Sequence, residues 1–99
     1  METVEIYLPS RKTDLLSAIG ETLRAVRTER GLTLRQVAEG AHVSISYLAE
    51  IERGEKDPSS RVLESVAEGL GMETGTLLLR VVATLEPDVA TPLADTLAA

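Results

Sequence analysis

The sequence predicts an all-α fold, a small helical bundle, and three observations carry that expectation. Its 99 residues include no Phe or Trp and two Tyr, so a core drawn from a 43% apolar share must be aliphatic, which suits helix packing better than a β-sandwich. From Asp14 onward, apolar residues recur at spacings of three and four. Ser, Thr and Gly stand where those runs begin and end. The length leads us to expect one compact domain with short extensions: an N-terminal arm or strand at 1–12, a folded domain at 13–85 and a tail at 86–99.

Residues 3–8 alternate, with Val4, Ile6 and Leu8 on one side, and read as a short strand or extended arm ended by Pro9, or else as a disordered tail. The helical pattern then starts at Asp14, with Leu16, Ile19, Leu23 and Val26 on one face and Gly31 as the stop. Thr33-Leu-Arg-Gln36 fits a capping box, in which the Thr hydroxyl and the Gln side chain satisfy each other's backbone N–H groups. The second helix therefore starts there and buries Val37 and Ala38 before a break at Gly40-Ala-His-Val43. Ser44 is a natural N-cap for a third helix that turns Leu48 and Ile51 inward and is terminated by Gly54. Asp57-Pro-Ser-Ser60 is loop and cap, and the next helix carries Val62, Leu63, Val66, Ala67 and Leu70 on one face, closed by Gly71. Residues 74–85 are apolar on more than one face; a helix fits them first, although the β-branched pair Val81-Val82 makes a strand arguable. Pro87 and Pro92 break the tail.

The formal net charge is −6, which averaged over the chain argues against phosphate binding. The distribution argues otherwise. Residues 21–61 hold seven of the ten cations (Arg24, Arg27, Arg30, Arg35, Arg53, Lys56 and Arg61) against seven acids, while residues 62–99 carry −5. With no Cys and one His there is no disulfide framework, no thiolate nucleophile and no cluster of metal ligands, so no cofactor is expected. Neither an export signal nor an apolar run of about 18 residues is present, which points to the cytoplasm.

Two short helices, 33–40 and 44–53, joined through the four-residue break Gly40–Val43, have the dimensions of a helix-turn-helix, whose second member enters the major groove, about 12 Å wide. The residues Leu32-Thr-Leu-Arg-Gln-Val-Ala38, Val43-Ser44, Tyr47-Leu-Ala-Glu-Ile-Glu-Arg-Gly54, Pro58-Ser59 and Leu70-Gly71 resemble the phage-repressor (Cro/C1, XRE) family over roughly residues 19–80. The run Ile51–Gly54 with Lys56 and Ser59-Ser60 is similar to that family's actinobacterial regulators of clp genes. The resemblance implies a five-helix, lambda-repressor-like DNA-binding bundle with the third helix in the groove. Because Leu48 and Ile51 must face inward, the expected base contacts are Ser44, Ile45, Ser46, Ala49 and Glu50: serine pairs with several bases, Ile45 and Ala49 meet thymine methyls, and Glu50 accepts from cytosine N4. For Glu50 the alternative is a solvated helix charge.

The expected phosphate contacts are Arg27, Arg35, Tyr47, Arg53, Lys56 and Arg61. Within that family a first-helix arginine meets a third-helix glutamate, which implies an Arg27–Glu52 pair that orients the guanidinium toward the DNA backbone. Two departures stand out: Leu34 where a phosphate-touching glutamine is frequent, and His42 at a turn position usually filled by glycine, tolerated because His is enriched at positive φ.

These features read as a sequence-specific transcriptional regulator acting as a homodimer on a double-stranded DNA operator, possible targets being Clp protease genes and a further partner RNA polymerase. Interface candidates are residues 3–8 and the apolar surplus at 77–85. The competing reading is an antitoxin-like or non-DNA-binding interaction module. An enzyme is not expected, for lack of a nucleophile–base pair, a glycine-rich phosphate loop or clustered ligands. Finally, Thr96-Leu-Ala-Ala99 looks like a bacterial degradation tag, making Ala98-Ala99 a candidate handle for Clp protease, or else a packed terminal segment.

Overall fold

The computed structural model describes residues 14–85, and within them five helices: α1 Leu15–Glu29, α2 Leu34–Ala41, α3 Ile45–Glu52, α4 Ser60–Leu70 and α5 Thr74–Leu85. The expected strand at 3–8 and the tail with Ala98-Ala99 lie outside the described residues. None of the five helices is long and apolar enough to cross a membrane.

Local chemistry explains most boundaries. Asp14 caps α1 by accepting from the Ser17 amide, and Gly31, at φ 66°, turns the chain out of it. The Thr33/Gln36 capping box is complete: the Gln36 amide donates to Thr33 Oγ1 at 3.0 Å and the Thr33 amide donates to Gln36 Oε1 at 2.8 Å. Ser44 and Ser59 cap α3 and α4 by accepting from the amides of Tyr47 and Val62, and Gly71 closes α4 at φ 76°. His42 ends α2 in the left-handed region at φ 59°, the single non-glycine residue to do so among those described.

One expectation is met and one changes. Residues 74–85 form a helix throughout: Leu77 and Val81, four apart, are its buried positions, and tertiary burial of that stripe overrides the β-preference of Val81-Val82. Gly40 does not break α2, which runs on to Ala41 and leaves three residues, His42–Ser44, between the two helices. The reason for a glycine there is a crossing. A β-carbon at Gly40 would lie 3.0 Å from Gly69 Cα of α4, and one at Gly69 would lie 2.8 Å from the Val37 carbonyl oxygen.

The core is aliphatic, as the composition requires: Ile19, Leu23 and Val26 of α1 meet Val37, Leu48, Ile51, Val66, Leu70, Leu77 and Val81 in one cluster. Leu16 of the predicted α1 face is half-buried. Packing of α1 on both α3 and α5, and of α2 on both α3 and α4, seats α3 against α1 and α2. The α5 end is pinned to α1 by a Thr22–Thr84 hydroxyl pair and by a two-bond fork from Arg80 to Glu29. Arg30, following α1, donates to the carbonyls of Leu70 and Gly71, so one helix end caps another.

Candidate nucleic-acid interface

What can be presented to a ligand depends first on how α3 is held. Its inner face is Leu48 and Ile51, both buried, and its last residue, Glu52, is gripped by Arg27 of α1. Arg27 Nε donates to Glu52 Oε2 at 2.7 Å and Nη2 donates to Oε1 at 3.0 Å, while Nη1 donates to the Leu32 carbonyl at 3.0 Å. The side chains are 14% and 7% exposed. Three of the five guanidinium N–H groups are thus spent inside the fold, and Arg27 is first a clamp that joins α1, the turn before α2 and the end of α3. The hydrogen-bonded Glu52 side chain raises the arginine above its already high ordinary value, so the guanidinium stays charged.

The expected base-contact residues divide. Ser44 and Ser46 are exposed, but the Ser44 hydroxyl oxygen accepts the Tyr47 amide, leaving its O–H and one lone pair for a ligand. Ala49 and Glu50 are half-buried. Ile45 departs from the expected outward position: it is half-buried against the core, because three residues before Leu48 is the same side of the helix. Tyr47 is half-buried and packs on the core as well.

The expected phosphate contacts divide too. Arg35 in the first turn of α2, Lys56 in the loop after α3 and Arg61 in the first turn of α4 are exposed and make no ion pair among the described residues. Arg53, the C-cap of α3, is exposed but engaged. Its Nε and Nη2 donate to the two carboxylate oxygens of Glu55 at 2.9 and 3.0 Å. That partner had not been singled out in the sequence. The Arg-Gly-Glu spacing across Gly54, whose φ of 76° folds the chain back, was the available sign.

Comparison with known proteins agrees with this architecture. The family model described as a helix-turn-helix domain matches residues 18–81. The chain is 43% identical over 61 residues to the transcriptional regulator ClgR of Mycobacterium tuberculosis, covering 62% of this chain and 54% of that protein. It is 45% identical over 60 residues to the immunity repressor of Bacillus phage phi105, covering 61% and 42%. The matched segment thus spans about half the length of these curated relatives. Among solved structures, the clp gene regulator ClgR of Corynebacterium glutamicum superposes with a TM-score of 0.71 at 39% identity, over 85% of this chain and 90% of that one. A restriction-modification controller protein, C.Esp1396I, shares the fold with a TM-score of 0.68 at 22% identity, over 72% and 93%. With its α2–α3 unit inside the matched segment, the chain belongs to the helix-turn-helix domain family, of the phage-repressor (Cro/C1, XRE) type.

Proposed function

We propose that this protein is a sequence-specific transcriptional regulator that lays α3 in the major groove of an operator and works as a homodimer. One observation carries the reading: α3 is anchored from inside by Leu48, Ile51 and the Arg27–Glu52 clamp, so Ser46, Ala49 and Glu50 are held rigidly without belonging to the core cluster. Ser46, Ala49 and Glu50 are then the readers, Ser44 contributes its one free O–H, and Ile45 offers only an edge to a thymine methyl. Arg35, Lys56 and Arg61, with the Tyr47 hydroxyl, meet phosphates, and Arg53 stands at the groove end of α3. Identity to ClgR, a transcriptional regulator, supports the activity, and the name clp gene regulator in the matched structure supports Clp protease genes as targets.

Two observations support the dimer. One short α3 reads too few base pairs for specificity, and α5 leaves Leu78, Leu79 and Val82 exposed at 44%, 72% and 58%. Selection from randomised duplexes, followed by binding as a function of salt, tests the proposal. The expected result is a two-fold symmetric consensus and affinity that falls steeply with salt. No enrichment and no salt dependence would reject it in favour of a protein-interaction module.

A further inference from the structure

We propose that Glu55 determines specificity: its carboxylate occupies the place a DNA phosphate would take on Arg53, forming a neutral latch that suppresses binding to DNA of arbitrary sequence. This rests on the DNA-binding reading above and adds a negative element to it.

Two arginine–glutamate forks stand at the end of α3 and differ in kind. Arg27–Glu52 is buried and joins separate helices. Arg53–Glu55 spans two residues, is 57% and 53% exposed, and joins nothing. A pair so exposed contributes little to folding, so its geometry needs another reason. That geometry is well defined. Gly54 folds the chain back, the Glu55 amide donates to the Glu50 carbonyl at 2.9 Å, and the carboxylate then lies along the Nε/Nη2 edge of the guanidinium. This two-bond fork is the arrangement an arginine makes with a phosphate. Seen from a DNA backbone the pair carries no net charge, so Arg53 releases no counterion until Glu55 gives way. Arg35, Lys56 and Arg61 carry no such partner among the described residues, and the neutralised cation is the one at the end of the reading helix. Only docking that seats α3 fully brings a phosphate close enough to replace the carboxylate.

The test uses the full chain and a duplex of mixed sequence, with affinity measured across a salt series for wild type, E55Q, R53A and R53A/E55Q, and with E68Q as an acid-removal control on the exposed face of α4. E55Q should bind about three- to tenfold more tightly at low salt, with a log–log slope steeper by about 0.9, the value of one added phosphate contact. R53A alone should weaken binding, since it leaves the Glu55 charge unpaired, and E55Q in the R53A background should relieve that repulsion without the added 0.9 of slope, which needs the arginine. Weaker binding by E55Q would overturn the latch, since Glu55 would then be positioning Arg53 for DNA. An equal steepening of the slope in the R53A background, or from E68Q, would overturn it as a general charge effect. If wild type shows no salt-dependent binding of any duplex, the DNA-binding reading falls and the latch with it; wild-type binding with an unchanged E55Q slope overturns the latch alone.

Discussion

Gly20 of α1 and the Glu52 carbonyl of α3 are in backbone contact: a β-carbon added at Gly20 would sit 2.4 Å from that oxygen and 2.6 Å from the carbonyl oxygen of Ile51. The last turn of α3 therefore rests on bare backbone, next to the place where Arg27 grips the Glu52 side chain. Neither neighbour is a flexible side chain that could move aside, so the missing methyl sets how close α3 lies to α1. Replacing Gly20 by Ala should cost about 2 kcal/mol despite the better helix propensity of alanine. Gly75→Ala is the internal control, because nothing lies within 4 Å of its β-position, and it should stabilise by about 0.5 kcal/mol. Urea unfolding midpoints of the two variants should move in opposite directions; a shift of the same sign would mean that α3 is not seated against Gly20.

The Arg27–Glu52 clamp should behave as a buried pair. Arg27→Met strands a carboxylate at 7% exposure and should destabilise by about 3 kcal/mol, whereas Arg27→Met with Glu52→Leu should recover most of that loss. Chemical denaturation of the single and double variants decides this. Additive losses would show that the two side chains act independently.

Arg35 has no ion-pair partner among the described residues and stands exposed at the start of α2. Arg35→Ala should weaken binding to specific and mixed duplexes alike and lower the magnitude of the log–log salt slope by about 0.9. Weaker binding at an unchanged slope would assign Arg35 to folding or assembly.

Leu79→Glu with Val82→Glu places two charges on the exposed α5 stripe and should convert a dimer to a monomer while leaving the helical content intact. Sedimentation velocity at matched concentrations reads this directly. A variant that still sediments as a dimer would put the interface elsewhere.

Acid should destabilise the domain through carboxylates that the fold holds ionised. The Ser17 amide donating to Asp14, and Arg80 donating to Glu29, hold these groups below their ordinary values of 3.8 and 4.5. Each contributes stability that is complete above its ordinary value and is lost as pH falls through the lower folded value. A Glu29→Gln variant should be less stable than wild type at neutral pH and converge with it in strong acid. Parallel melting curves across that range would remove Glu29 from the acid limb.

The sequence carried those features whose cause lies within a few residues. The Thr33/Gln36 box, the Ser44 and Ser59 caps, and the terminating Gly31 and Gly71 are all local arrangements of the backbone and its capping residues, and each is legible from its neighbours. The Arg27–Glu52 pair crosses 25 residues, and it was foreseen only because the family resemblance supplied it. The angles and distances at which helices cross were decided by the tertiary structure alone. They make Gly20, Gly40 and Gly69 contact points, set Arg30 over the end of α4 and bring Arg80 to Glu29 across 51 residues, whereas the half-buried position of Ile45, three residues before Leu48, was legible from helix periodicity. The Arg53–Glu55 latch is short in sequence yet was missed, because a pattern of charges does not say which way Gly54 folds the chain; its φ of 76° brings the carboxylate back onto the guanidinium instead of out into solvent.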